Sequence, residues 1–378
     1  MRTLGIALLG VLIFFASCSV KRDTQNPVPN PPKVIEVELE IKPKNIILLI
    51  GDGMGLTQVS ALFEQADVTN HFKRFQYIGL MTTASASDKI TDSAAGATAF
   101  ACGMRTYNNA VGVSPDSLAI PNLVELLSYK GYATGMVSTS SITHATPAAF
   151  YAHAKHRSEE TNIATQLITS KVNFFAGGGR EYFRPFYEIV GNNNLILDTA
   201  DFLQIIPDFN YAKRYGFLMA NDGLPKISEG RTDVLTQSTL LGIDFLKNVP
   251  ASKGFFLMSE GSQIDWGGHA GDYNYVLTEL IDFNDVIGKV LDFAEQDGNT
   301  LVIVLADHET GGLALAAAKK TDAKGVKYTD YNTIEPKFST GGHTSTLVPV
   351  FASGPGAKNF IGVYDNTEIF QKIQHLLN

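Results

Sequence analysis

Asp, Glu and His residues recur beside glycine where apolar runs end, and their types and spacing suit a metal-assisted reaction. Asn45 to Ile50 runs into Gly51-Asp52-Gly53-Met54-Gly55, and Phe255 to Met258 runs into Ser259-Glu260-Gly261, with Asp265 and His269 following. Leu301 to Leu305 runs into Ala306-Asp307-His308-Glu309-Thr310-Gly311, and Gly341-Gly342-His343-Thr344 precedes the run from Leu347. Taken singly, each reads as well as a cap, a turn or a satisfied histidine. Together they offer oxygen and nitrogen donors without thiolate, which suits catalytic zinc. Glu260 with Asp52 and a threonine hydroxyl would offer oxygen alone, which suits magnesium. Asp265 and His269 are spaced i, i+4 and can share an ion if that stretch is helical. Adjacent Asp307 and His308 cannot point the same way in a regular element, so as ligands they require an irregular turn.

A nucleophile stands elsewhere in the chain. Thr91-Asp92-Ser93 precedes a row of small residues ending in Cys102-Gly103. The pattern predicts a helix beginning at Ser93 and stopping at Gly103. Ser93 then sits where backbone N–H groups are unpaired and the helix dipole favours negative charge. An N-capping serine is the plain alternative.

The elements that position these residues alternate. Strands are expected at Tyr77–Thr83, Asn45–Ile50, Tyr132–Ser138, Asn173–Ala176, Phe255–Met258, Thr300–Leu305 and Leu347–Ala352. Helices are expected at Pro121–Tyr129, Thr146–Lys155, Thr232–Asn248, Asp272–Gln296 and Thr367–Leu377. Such alternation means an α/β fold with a mainly parallel sheet, whose site lies at the carboxyl ends of the strands. The glycines around Asp52 do not complete a dinucleotide fingerprint. Residues 180–230 and 313–340 are weakly patterned and read as surface excursions from a single domain spanning 44–378. His71, His153, His156 and His375 read as surface or core histidines, although His153 and His156 on one helix could also pair on a metal.

The 378 residues are 44% hydrophobic with a net charge of −8, ample for a large core and unsuited to nucleic acid. Arg2 followed by the apolar Leu4 to Phe15 forms a leader too short to span a bilayer. It ends in Phe15-Ala16-Ser17-Cys18, similar to a bacterial lipobox, so residues 1–17 are expected to be removed and Cys18 lipidated. That places the protein outside the cytoplasm on a bacterial membrane, tethered by the Pro-rich 18–43. Cys102 is then the remaining thiol, a small buried residue.

The glycine-flanked motifs, with Asp92-Ser93-Ala94-Ala95 and His144-Ala145-Thr146-Pro147-Ala148-Ala149, resemble the alkaline phosphatase family in order and over residues 44–355. The resemblance implies a three-layer α/β/α sandwich and broad phosphomonoester hydrolysis through a phosphoserine at Ser93. It implies one zinc held by Asp265, His269 and His343, and a second held by Asp52, Asp307 and His308. Magnesium would take Asp52, Thr146 and Glu260. Arg157 falls where the family places its phosphate-binding arginine, with Asp92 orienting it. His144 and Trp266 stand just outside the ions, where some bacterial members carry Asp and Lys. The imidazole leaves the third ion open among magnesium, zinc and cobalt. Glu309 and Thr310 are expected behind the ligands. Phosphomonoesters and inorganic phosphate are the implied partners, and a homodimer is compatible with the family. A related phosphodiesterase and a non-enzymatic zinc- or phosphate-binding lipoprotein are the alternatives.

Overall fold

An uninterrupted apolar run has no polar face to offer water, so a strand made from one must be covered on both sides. In the computed structural model the runs Asn45–Gly51, Phe255–Gly261 and Thr300–Leu305 are buried at every position. The structure describes residues 41–188, 190–200 and 208–377. The leader, Cys18 and residues 18–40 of the expected tether lie outside that range. Among the described residues no helix is long and apolar enough to cross a membrane.

Among the described residues, the buried runs are the centre of a ten-stranded sheet flanked by helices. From one edge, the strands run Gly362–Asp365, Tyr77–Thr82, Val348–Ser353, Thr300–Leu305, Asn45–Gly51, Phe255–Gly261, Ala133–Ser141, Phe174–Gly178, Arg214–Leu218 and Leu195–Asp198. Val348–Ser353 is antiparallel to both neighbours, and the other pairings are parallel. The register decides where chemistry can occur. Ile50 lies opposite Glu260 on one side and Leu305 on the other, and Glu260 lies opposite Ser138. Asp52, Glu260 and Asp307 therefore emerge together at one end of the sheet.

The helix Ser93–Cys102 is buried at all ten positions and stops at Gly103 in a left-handed turn, φ 70°. Its small side chains let it approach the site closely: a Cβ on Gly96 would lie 3.2 Å from Asp307. The helix Tyr273–Asp297 starts with Asp272 capping Tyr275 N–H and ends at Gly298, φ 69°. Its buried stripe includes Val276, Leu280, Phe283, Ile287 and Leu291.

Several of the expectations need correction. The segment 180–230 is not only a surface excursion, since it supplies the edge strands Leu195–Asp198 and Arg214–Leu218. These strands are short, and Gly216 in the second leaves room for the Phe175 ring, 2.2 Å from where a Cβ would lie. Gly362–Asp365 adds an unforeseen edge strand. The helix expected at Thr146–Lys155 is one turn, Ala145–Ala148, because Ala154 leaves it to exchange two hydrogen bonds with Val111. His153 and His156 consequently share no helix. His153 binds Gly112 O and Glu125, whereas His156 binds Ser158. Segment 313–340 is mostly an antiparallel hairpin of Leu313–Thr321 with Lys327–Phe338.

Candidate metal centre

At the carboxyl end of the central strands, three overlapping groups bring ligand atoms within 4.8 Å of one another: Asp265, His308 and His343; Asp52, Asp307 and His308; Asp52, His144 and Glu260. The backbone arranges this convergence. Asp52 follows its strand at a turn through Gly53, φ 69°, where a Cβ would lie 2.9 Å from the Asp265 backbone. Gly53 N–H donates to Asp307 Oδ1 at 3.1 Å. Asp265 and His269 lie on the helix Gln263–Ala270, so their i, i+4 spacing does put them on one face. Asp307 and His308 lie between strands on the expected irregular turn.

The imidazoles are aimed. His269 Nδ1–H donates to Gly341 O at 2.7 Å, and His343 Nδ1–H donates to Thr91 O at 2.9 Å. His308 Nδ1 lies 3.2 Å from the Thr310 hydroxyl, which donates to Asp265. Each Nε2 is thereby left to face the cluster. His269 Nε2 lies 3.1 Å from His343 Nε2 and 3.3 Å from Asp265. His308 Nε2 lies 3.1 Å from Asp307 and 3.5 Å from Asp52. Ser93 Oγ lies 3.3 Å from the same nitrogen. The centre thus brings together every zinc-type ligand expected from sequence, with His308 reaching two of the groups.

Divalent cations fit this donor set. Among the described residues, Asp52 Oδ1 and Oδ2, Glu260 Oε1, Asp307 Oδ2 and Thr146 Oγ1 are buried without a hydrogen-bond partner. Buried polar groups are rarely left so, and buried anions at this spacing repel unless a cation lies between them. Burial first, then the charge of Asp307, raises Asp52 well above the usual carboxylate range. Burial pushes Glu260 up to about 7 despite hydrogen bonds from Ser138 and Ser262. The hydrogen bond to Asp265 pushes His269 up to about 9. Without ions, protons therefore take the place of cations.

A pH dependence follows. Glu260 and His269 both hold protons more tightly folded than unfolded, so the stability they contribute is present below their ordinary pKa values. It is lost as pH rises through about 7 and about 9. Ions compete with those same protons. The rise in Tm on adding zinc and magnesium to the stripped protein is expected to be larger at pH 9 than at pH 6. Calorimetric scans showing an equal or smaller rise at pH 9 would contradict this.

Several supporting residues were not legible in the sequence. Ser138 Oγ–H donates to Glu260 at 2.6 Å and lies 2.9 Å from Ser262. Gln58 Nε2–H donates to Glu309 at 2.8 Å and to Thr310 O at 2.9 Å. Thr310 holds a ligand directly by donating to Asp265, whereas Glu309 accepts from Gln58 and from Leu313 N–H. Ser138 ends the expected strand Tyr132–Ser138, and only pairing opposite Glu260 gives its hydroxyl a purpose.

Ser93 is the first residue of its helix, and Asp92 caps it by accepting from Ala95 N–H at 3.0 Å. Arg157 Nη1–H donates to Asp92 at 3.2 Å, and Nη2–H donates to His144 Nε2 at 2.9 Å. Burial and then Arg157 lower His144 to about 3, so the ring is neutral. His144, expected just outside the ions, immediately precedes the one-turn helix and lies beside Asp52 and Glu260, and because its Nε2 accepts from Arg157 its Nδ1 carries the proton. Trp266 meets His144 edge-on at 6.3 Å, and its ring fills the space a side chain at Gly223 would need.

Residues 43–200 and 217–333 match the family profile described as alkaline phosphatase. "Alkaline phosphatase 3" of Bacillus subtilis is 33% identical over 411 residues, covering 87% of this chain and 88% of its own. The alkaline phosphatase from the Antarctic bacterium TAB5 superimposes with a TM-score of 0.83 at 48% identity, over 89% of this chain and 98% of its own. A histidine-to-aspartate mutant of that enzyme, with Mg bound in its M3 site, gives a TM-score of 0.84 at the same identity and coverage.

Proposed function

The chain belongs to the alkaline phosphatase family and is a phosphoric monoester hydrolase; from that premise we propose a two-zinc, one-magnesium mechanism of broad specificity, with Ser93 as nucleophile. The observation that carries it is Ser93 Oγ, 3.3 Å from His308 Nε2, beside buried carboxylate oxygens without partners. Asp265, His269 and His343 would hold one zinc, and Asp52, Asp307 and His308 the other. Asp52, Glu260 and Thr146 would hold the third ion, with His144 beside it. Magnesium is the proposed occupant, supported by the oxygen-rich set and by the Mg in the TAB5 mutant. When bound, these ions supply Lewis-acid stabilisation of the attacking and leaving oxygens.

The chain's own residues do the rest. Ser93 Oγ forms a bond to phosphorus as the ester P–O bond breaks and the alcohol departs. Water then breaks the phosphoserine, releasing inorganic phosphate and restoring the hydroxyl. The helix beginning at Ser93 directs unpaired N–H groups toward the phosphoryl group. Arg157 presents a planar fork to two phosphoryl oxygens, and Asp92 holds that fork. These contacts address the phosphoryl group and not the alcohol, which supports loose leaving-group specificity.

A diester carries one fewer charge and a second substituent where Arg157 would bind. An aryl phosphate is expected to have a kcat/KM at least about a hundredfold above that of its bis-aryl diester, the scale of a lost bidentate charged contact. Equal or faster diester hydrolysis would favour a phosphodiesterase instead.

A further inference from the structure

Arg157 must be held in register with Ser93 although 63 residues and a β-strand separate them in sequence. The connection is a closed ring of hydrogen bonds through one backbone position. Asn109 N–H donates to Asp92 Oδ2 at 3.0 Å, and Asn109 C=O accepts from Arg157 N–H at 2.7 Å. The Arg157 side chain closes the ring by donating to the same Asp92 oxygen at 3.2 Å. Neighbouring contacts fasten the ring. Asn108 Oδ1 accepts from Asp92 N–H at 3.3 Å, and its amide donates to Ile90 O at 3.1 Å. Val111 and Ala154 exchange bonds of 3.0 and 2.8 Å just beyond it.

The ring depends on an unusual backbone. Asn109 has φ 73°, in the left-handed region that glycine adopts freely, asparagine tolerates and β-branched residues resist. That conformation turns the N–H toward Asp92 and the C=O toward Arg157. The ring uses the Asn109 backbone and not its side chain.

We propose that Asn109 is a positioning residue that sets Arg157 against the nucleophile helix and so governs affinity for the phosphoryl group. The inference rests on the reading of Arg157 as the phosphate ligand, and its test separates the two. Inorganic phosphate is titrated calorimetrically into the zinc- and magnesium-loaded full chain and its variants, with metal content measured in each. Arg157→Ala is expected to weaken binding about a hundredfold, the loss of a bidentate charged contact. Asn109→Val is expected to weaken it about tenfold, the equivalent of the left-handed strain of an unsuited residue. Asn109→Gly is expected to bind within about twofold of the original chain, because glycine keeps the turn. Metal content is expected to stay the same throughout. If Asn109→Val does not fold, Asn109→Ala replaces it, with an expected loss of about fivefold relative to Asn109→Gly. Weakening in Arg157→Ala with none in Asn109→Val would overturn the inference alone. Equal weakening in Asn109→Val and Asn109→Gly would overturn the backbone role. Unchanged binding in Arg157→Ala would remove the premise and the inference together.

Discussion

Ser93→Ala is expected to lower kcat/KM for an aryl phosphate by roughly 10⁴- to 10⁶-fold, the scale on which removal of a covalent nucleophile acts. Ser93 is buried, opens its helix and lies 3.3 Å from His308. The helix itself is secured by Asp92 capping Ala95 and by close packing at Gly96. Removing one hydroxyl therefore leaves the scaffold standing, and a surface N-cap serine of the ordinary kind would cost only about 1 kcal/mol of stability. Metal content and phosphate affinity are expected to stay within about threefold of the original chain, because the proposed ligands and Arg157 are untouched. Initial rates with and without the substitution check the first part, and elemental analysis with calorimetry the second. A non-enzymatic zinc-binding protein would show no turnover in either chain.

Removing the ions is expected to have the second largest effect, on activity and stability at once. Dialysis against a chelator should reduce turnover by at least roughly a thousandfold, and zinc with magnesium should restore it. It should also lower Tm by roughly 5–10 °C, since several kcal/mol of linked binding corresponds to about 1–2 °C per kcal/mol in a chain of this size. The physical source is the cluster itself. Asp52, Glu260, Asp265 and Asp307 are buried together, and unpartnered oxygens remain on three of them. Such a cluster is costly without a counter-charge, and partial protonation of Glu260 and His269 compensates only in part. Full turnover in protein shown by elemental analysis to be free of metal would contradict the mechanism.

The parts legible in the sequence share one property: local pattern and burial agreed. Asn45–Gly51, Thr300–Leu305 and the helix Ser93–Cys102 were readable because continuous apolar or small residues leave little choice of partner. The i, i+4 pair Asp265 and His269 was readable for the same reason. What remained hidden depends on contacts distant in sequence. Ser138 acquires a purpose only opposite Glu260, 122 residues away, and Gln58 only beside Glu309. Arg214–Leu218 has too weak a pattern to announce a strand, and it joins the sheet because Phe174–Gly178 provides an edge. His144 could be placed near the ions by resemblance, but its approach to Asp52 and Glu260 depends on a single helical turn that helix-period reasoning drew too long.

The most direct test is mass spectrometry of the protein quenched in acid after mixing with a phosphomonoester. The mechanism predicts one phosphoryl group, mapped to Ser93, in metal-loaded protein and none in protein stripped of its ions. Turnover by the loaded protein with the phosphoryl group on another residue, or an equal yield of phosphoserine without metal, would contradict it.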